Sequence, residues 1–245
     1  MPSGRGSGPH DSAITSGFES WPSPVFHRHT ETAQRFLASA YDSVGELLDM
    51  MATVRELRHQ VGVARRGRLS QNEEDLLRAV IMFGGAGLDA TLKQLVRDTL
   101  PYLVDSNDDA HEGFKTYTAR AIVEGSQVAP KKVASLLISR NPRQALIEEY
   151  ILALTTPSLQ SVQQVTIVVS ALGVSTQGLR QKIADLKPLF VARNQIAHEL
   201  DLRRPEHTSD KNRRARGLNE SRRLAYEGLA VGQLIINEVA EFMNK

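Results

Sequence analysis

The sequence predicts an all-α protein, a bundle of helices, and three observations support this prediction. Apolar residues recur at spacings of three and four along most of the chain, which is the period of an amphipathic helix. Typical helix start and stop residues stand before and after these stripes. Only residues 165–169 are β-branched enough for a strand, but their apolar neighbours keep helical spacing and no partner strand is evident. We therefore expect a helix there too.

The first two helices are expected to form a long antiparallel pair. The first begins at Thr30 and ends at the basic, glycine-containing stretch 64–68. Ser70 and Glu73 then form a capping box, because each side chain can accept the backbone amide hydrogen of the other residue. The second helix is predicted to stop near Pro101. A short connection between two such helices favours antiparallel packing.

The second helix contains the glycine-rich run 84–87, where each glycine costs roughly 1 kcal/mol relative to alanine. We expect the run either to allow close contact with another backbone or to kink the helix. A phosphate-binding loop is disfavoured, because no strand precedes the run and no Gly-Lys-Ser/Thr ending follows it.

Further helices are expected between this pair and the last two. A polar loop is expected over 106–113, and the next helical segment is expected to break at 129–130. Asn141 is expected to cap a further helix, and another is expected to run from Ser158 to Gly173. A last helix of this stretch is expected to begin at Ser175 or Thr176 and to stop at Pro188. The last two helices are expected over about 189–202 and from a cap at Asn219 onward, with a basic loop over 203–217 between them.

Composition limits the class of protein. The chain has 245 residues, 41% of them hydrophobic, and a net charge of only +2, which by itself does not indicate a nucleic-acid partner. Residues 1–28 are rich in Gly, Ser and Pro and lack the apolar segment of a signal peptide. We expect a flexible lead there, followed by one helical domain over 29–245.

Cysteine is absent, which excludes disulfides, thiolate metal sites and a cysteine nucleophile. No run approaches the roughly 18 consecutive apolar residues that span a bilayer, and a cytoplasmic location is expected. No histidine stands at the spacing of a metal site, so we expect neither a metal nor another cofactor.

Polar residues interrupt the apolar helix between 190 and 200 at Arg193, Asn194 and His198. Asn194 and His198 lie one turn apart and share a face. Arg193 and His198 are five residues apart, roughly 140° around the axis, so they flank one groove. A guanidinium grips phosphate oxygens, and an imidazole with an ordinary pKa of about 6.5 transfers protons near neutral pH. The pattern indicates phosphoryl chemistry; in the alternative interpretation Arg193 pairs with a carboxylate, His198 donates to a carbonyl and nothing is catalysed.

The hexapeptide from Arg193 to His198 resembles the R-x4-6-H signature of the HEPN superfamily, in particular its stand-alone RiboL-PSP-type branch. The helical context is similar, with a long helical pair first and the motif on a late helix that one more helix follows. Asp89 matches an acidic residue that this branch carries within an apolar stretch of its second helix. The resemblance covers roughly residues 30–245, and the motif itself is its specific part.

The resemblance implies metal-independent RNA cleavage, in which a 2′-hydroxyl attacks the adjacent phosphorus and leaves a 2′,3′-cyclic phosphate and a 5′-hydroxyl end. In these roles Arg193 stabilises charge on the phosphorane and His198 transfers protons. Asn194 orients His198 or the substrate, and Asp89 orients Arg193 or His198 unless it is merely a surface carboxylate. Cleavage is helped by both a base and an acid, whereas each chain offers one histidine in this motif. We therefore expect a homodimer whose active site straddles the interface.

The densest basic stretch of the chain directly follows the motif. Its cations are predicted to follow an RNA backbone electrostatically, without recognising sequence. The alternative is a solvated loop with no ligand. The predicted RNA-binding residues are Arg203, Arg204, Lys211, Arg213, Arg214 and Arg216.

Three kinds of function remain open at this point. The first is a ribonuclease effector, a toxin or an antiviral defence protein, with an antitoxin or another defence protein as a possible partner. The second is a non-catalytic HEPN-like module that binds nucleotide or RNA or regulates a partner protein. The third is a helical adaptor in which the motif is a coincidence. The intact Arg193 and His198 favour the first, because a degenerate module need not keep both.

Overall fold

The computed structural model describes residues 21–62, 69–128, 130–174, 178–207 and 212–245. These residues form a 3-10 turn (Arg28–Thr30) followed by α1 (Glu31–Gln60), α2 (Gln71–Ser106), α3 (Asp108–Val128), α4 (Pro130–Leu137), α5 (Pro142–Thr155), α6 (Val162–Ala171), α7 (Arg180–Ala184), α8 (Lys187–Glu199) and α9 (Leu218–Met243). Within the described ranges there is no strand, only an isolated bridge between Leu202 and Arg213. The predicted all-α bundle is confirmed, and 165–169 is helical.

The first two helices are antiparallel, as predicted. Arg58 near the end of α1 pairs with Glu73 at the start of α2. At the other end, the ring of His29, just before α1, lies 4.0 Å from that of Tyr102 in α2, centroid to centroid. The predicted capping box is present: the Ser70 hydroxyl accepts from the Glu73 amide, and the Ser70 amide donates to the Glu73 carboxylate at 2.6 Å.

α2 is the central helix, and α1, α8 and α9 all pack against it. By length and composition alone it could cross a bilayer, but 56% of its most apolar window is buried inside the bundle. This burial is what a core helix of the bundle requires.

The glycine run 84–87 is where neighbouring helices approach α2 most closely. A Cβ added at Gly84 would lie 2.7 Å from the Cα of Ala225 in α9, and one at Gly87 would lie 2.3 Å from the Cβ of Ala40 in α1. Since real Cβ atoms do not approach other atoms this closely, only glycine permits both contacts. Close backbone approach, one of the two roles expected for the run, is confirmed, and α2 continues unbroken through it.

The predicted end of α2 near Pro101 is wrong, because the helix continues to Ser106. A proline inside a helix removes a hydrogen bond and costs about 3 kcal/mol. Leu100, Leu103 and Val104 are buried on this part of the helix, and burying each such side chain gains about 1.5–3 kcal/mol. Burial on both sides of the proline therefore outweighs its cost.

The polar loop predicted over 106–113 is also wrong, since Asn107 alone separates α2 from α3. Its Oδ1 accepts from the Ala110 amide at 2.9 Å, and its Nδ2 donates to the Gly173 carbonyl at 3.3 Å. Asp108 and Asp109 occupy the first turn, where a carboxylate is favoured by the helix dipole. The polar composition that suggested a loop instead begins a helix.

The boundaries of the middle helices agree with the local signals in most places. Asn141 caps α5 by accepting from the amide of Gln144. Ser161, three residues after the predicted Ser158, caps α6. Gly173 ends that helix with a φ of +67°, which L side chains rarely adopt. The predicted start at 175–176 lies outside the described residues.

The motif helix and the last helix differ at their predicted ends. α8 stops at Glu199 rather than near 202, because Leu200 and Asp201 take left-handed φ values of 50° and 60°. Gly217, not the predicted Asn219, precedes α9, and no side chain caps that helix.

The predicted flexible lead is wrong for residues 21–28, which lie against the bundle. The Val25 amide donates to Asn237 Oδ1 at 2.9 Å, and Asn237 Nδ2 donates to the Ser23 carbonyl at 2.9 Å. The lead's composition gave no sign of this, because its partner in α9 lies 212 residues away along the chain. Residues 1–20 are outside the described part.

Candidate functional site

α8 places its motif residues on different sides of the helix. Leu189 and Ala192 are buried in a small apolar cluster, and Ile196 packs against it. His198 follows Leu189 by nine residues, about 180° around the axis, and it is exposed. Arg193 flanks the buried face and is half-buried. The histidine therefore faces away from the bundle while the arginine lies beside it.

Arg193 lies over Gly85 of α2. A Cβ at Gly85 would be 3.2 Å from the Arg193 Cγ, so the glycine makes room for the arginine stem. Burial lowers the pKa of Arg193, and the charge of Asp89 opposes this effect. The Nε is buried with no hydrogen-bond partner among the described residues. Among the described residues, Nη1 makes one hydrogen bond, a long one of 3.4 Å to Asn194 Oδ1. The guanidinium thus keeps unused hydrogen-bonding capacity.

Asp89 is near Arg193 but bonds to other groups. Its Oδ1 accepts from the Leu159 amide at 2.6 Å, and its Oδ2 pairs with Lys93 Nζ at 3.0 Å. No hydrogen bond joins it to Arg193 or His198 within the described structure, so the predicted orienting contact is absent. Asp89 acts on Arg193 through charge, and it holds the connection before α6 against α2.

The outward face of α8 carries a continuous row, here called the α8 outer stripe, formed by Lys187, Val191, Asn194 and His198. Its spacing of four, three and four is that of a face along which one helix packs on another. Val191 is 47% exposed at its centre. The predicted shared face of Asn194 and His198 is therefore observed. Arg193 and His198 do not meet within one chain, because the helix directs them about 140° apart.

Arg216, predicted to bind RNA, is buried instead. Its guanidinium contacts both carboxylate oxygens of Asp201, through Nε at 3.0 Å and through Nη2. Nη2 also donates to Gln195 Oε1 at 3.1 Å. The prediction is wrong for Arg216, because its charge and its donors are used inside the protein.

A second buried arginine, Arg78 of α2, completes what we call the Arg78–Asp201–Arg216 cluster. Its Nε donates to Asp201 Oδ2 at 2.8 Å, and Nη2 donates to the Arg214 carbonyl at 2.9 Å. Asp201 is fully buried. The cluster fastens the end of α8 and the basic loop to α2. The sequence analysis did not predict this cluster. Its one local signal in the sequence was the charged Arg78 next to the apolar Leu77 in α2.

Two further cations of the basic loop are partly neutralised. Arg213 Nη1 lies 2.6 Å from Asp75 of α2, and Arg214 Nη1 lies 2.9 Å from Glu199 at the end of α8. Both arginines remain partly accessible. Their charge is therefore available to a polyanion only in competition with a carboxylate.

Arg203 and Arg204 fit the predicted RNA-facing role best by position. Both are exposed, and neither pairs with a carboxylate in the described part of the loop. The Arg203 amide donates to the Asn212 carbonyl at 2.8 Å, which joins the two described sides of the loop. Lys211 lies outside the described residues.

No group of three or more potential metal ligands occurs in the described ranges. Comparison with known proteins gives no family model, no curated protein and no solved structure that matches the chain. Its function is therefore inferred from the chemistry of the α8 site alone.

Proposed function

We propose that the protein is a metal-independent endoribonuclease of HEPN type, whose active site forms where two copies bring their α8 helices together. The observation that carries the proposal is the pair on α8: Arg193, half-buried and incompletely satisfied, and His198, exposed to solvent. One can hold a phosphate and the other can move a proton.

The state of the half-buried Arg193 contrasts with that of Arg78 and Arg216, the two buried arginines of the described residues. Arg78 and Arg216 both bind Asp201, while Arg193 has no carboxylate at ion-pair distance within the described structure. A partly desolvated guanidinium with spare donors gains most from a phosphate, which accepts charge-assisted hydrogen bonds. In the reaction Arg193 stabilises the charge that develops on the phosphorane oxygens.

A single chain supplies only part of the required chemistry. Cleavage needs a base for the 2′-hydroxyl and an acid for the departing 5′-oxygen, and each α8 offers one imidazole. A two-fold axis that runs parallel to α8 beside the α8 outer stripe places each residue of the stripe, His198 included, opposite its own copy. Asn194, one turn from His198 on the same stripe, then orients either an imidazole or the substrate.

The neighbouring basic loop supports binding of a long polyanion. Arg203 and Arg204 are exposed beyond the end of α8, and Arg213 and Arg214 add partly neutralised charge. Such contacts follow a phosphate backbone without recognising bases. An enzyme of this kind cuts many RNAs, which is the action of a cytoplasmic toxin or antiviral effector restrained by an antitoxin or a partner defence protein.

The proposal is tested by incubating the purified protein with total RNA in excess EDTA. We expect cleavage to continue without free divalent metal and to leave 2′,3′-cyclic phosphate and 5′-hydroxyl ends. Direct labelling of the new 5′ ends by polynucleotide kinase, without prior phosphatase treatment, detects the latter. Cleavage that stops in EDTA contradicts the mechanism, and binding without cleavage favours a non-catalytic HEPN-like module.

The dimer is tested by placing a charge at the centre of the α8 outer stripe. Val191→Arg is expected to convert dimers to monomers in light scattering and to lower the cleavage rate at least tenfold, since it puts like charges opposite each other across the two-fold axis. Ile167→Arg on α6 is the matched control, because Ile167 is 50% exposed and Val191 47%. A monomeric Val191→Arg variant that still cuts RNA at the normal rate overturns the shared site.

A further inference from the structure

A groove of about 440 Å³ lies where the 3-10 turn before α1 meets the last turns of α2. It has no part in the proposed cleavage site. Arg97, which lines the groove, lies twelve residues after Gly85 on α2, and Gly85 is the residue under Arg193. At 1.5 Å per residue, the two positions are about 18 Å apart along the helix. The side chains that line the groove and matter here are Arg28, His29, Thr32, Arg97, Asp98 and Tyr102.

The groove has an aromatic wall. The rings of His29 and Tyr102 lie 4.0 Å apart, centroid to centroid, and are tilted by 34°. Tyr102 is nevertheless 48% exposed, so much of its surface faces the solvent. A planar heterocycle can stack on such a surface, and stacking on an aromatic side chain tolerates any nucleobase.

The groove is also cationic. Arg28 and Arg97 flank it, and neither pairs with a carboxylate in the described structure. The Arg28 Nε donates to His29 Nε2 at 3.1 Å, which joins the guanidinium to a ring of the aromatic wall. Burial, and after it the charges of His29 and Arg28, lower the pKa of the neighbouring His27. Asp98 is the one acid among the lining residues.

The wall that carries Arg28 is held in place by hydrogen bonds. The His29 amide donates to His27 Nδ1 at 3.3 Å, and the Thr30 hydroxyl donates to the His27 carbonyl at 2.9 Å. Asn244 Nδ2 of the C-terminal end donates to the Phe26 carbonyl at 3.1 Å. The turn is therefore positioned before any ligand arrives, which lowers the entropic cost of binding.

We propose that this groove binds a nucleotide, with its base stacked on Tyr102 and its phosphate held between Arg28 and Arg97. Asp98, already accepting from Gln94 Nε2 at 2.9 Å, accepts a further hydrogen bond from a ribose hydroxyl. The same chemistry fits a free mononucleotide and one nucleotide of a single-stranded RNA. This inference goes beyond the proposed nuclease, because the groove is separate from Arg193 and His198.

The test measures binding to the full-length protein by calorimetry with AMP, adenosine and inorganic phosphate. Fluorescence anisotropy with a labelled single-stranded oligoadenylate is measured with His198→Ala present in every variant, so that the proposed nuclease does not cut the strand. Arg97→Gln and Tyr102→Ala are each expected to weaken binding of AMP about tenfold, with adenosine weaker than AMP. Tyr102→Phe keeps the ring and is expected to bind normally. Arg55→Gln, an exposed arginine near the other end of α1, is the control.

The outcomes separate the two sources of the nucleotide. Variant-sensitive binding of AMP indicates a free nucleotide, and variant-sensitive binding of the oligonucleotide alone indicates a strand of RNA. Equal affinity of every ligand for wild type, Arg97→Gln and Tyr102→Ala overturns the proposal. His198→Ala is expected to leave this binding unchanged, so a protein that binds nucleotide here but never cuts RNA refutes the nuclease and not the groove.

Discussion

His198→Ala is expected to lower the rate of RNA cleavage by about 10²–10⁴-fold, the usual contribution of a general acid or base. Arg193→Ala is expected to lower it by about 10²–10³-fold, because it removes the donors that stabilise the developing phosphorane charge. Both rates are measured on the same RNA in EDTA, at matched protein concentration and with the dimer verified for each variant.

His59→Ala is the matched control for the histidine, because His59 is likewise exposed but lies on α1. His198 is solvent-exposed, so its loss is expected to leave the free energy of unfolding within about 0.5 kcal/mol of the wild-type value. A stable, dimeric His198→Ala variant that cuts RNA at the wild-type rate removes the catalytic role of the motif.

Asp201→Ala is expected to lower the free energy of unfolding by about 3–5 kcal/mol, because it leaves the buried Arg216 without a counter-charge and removes the most buried of the three carboxylates that pair with Arg78. The value is measured by urea denaturation followed by circular dichroism. Asp75→Ala is the control, since Asp75 also pairs with Arg78 but its side chain is 47% exposed. Exposed pairs contribute about 0.2–1 kcal/mol.

Asp201→Asn separates charge from backbone shape at the same position. Asparagine tolerates the left-handed conformation that residue 201 adopts, with a φ of 60°. We expect it to keep the turn but still to lose most of the stability, because the buried Arg216 stays without a counter-charge and Arg78 loses its buried one. If the Asp201→Asn variant is as stable as the wild type, the fold requires the turn and not the carboxylate charge.

The parts of the fold that could be predicted from the sequence are those whose partners lie nearby in the chain. Ser70 finds its partner at Glu73, and Asn141 finds its partner three residues later. The end of α2 predicted near Pro101 was wrong, because the burial that keeps α2 helical beyond the proline comes from contacts with other helices. The packing of residues 21–28 also escaped prediction, because Asn237 holds them from the other end of the chain.

The candidate site divides in the same way. The placement of Arg193, Asn194 and His198 on α8 follows from helical periodicity alone, so their relative directions were predictable. The burial of Arg216 was not predictable, because Arg78 and Asp201, which enclose it, are 123 residues apart. Charge density along the chain indicates a basic loop, but it cannot distinguish an arginine that faces solvent from one that is enclosed by its own fold.

The outward direction of His198 has a consequence for dosage. If two copies must associate before either imidazole is useful, the rate of RNA cleavage rises with the square of the protein concentration while the protein is dilute. Once association saturates, the rate rises only linearly. A low level of synthesis then produces little RNA cleavage, whereas a large increase in synthesis produces disproportionately more. A partner that merely covers Val191 on α8 could silence the protein without touching RNA.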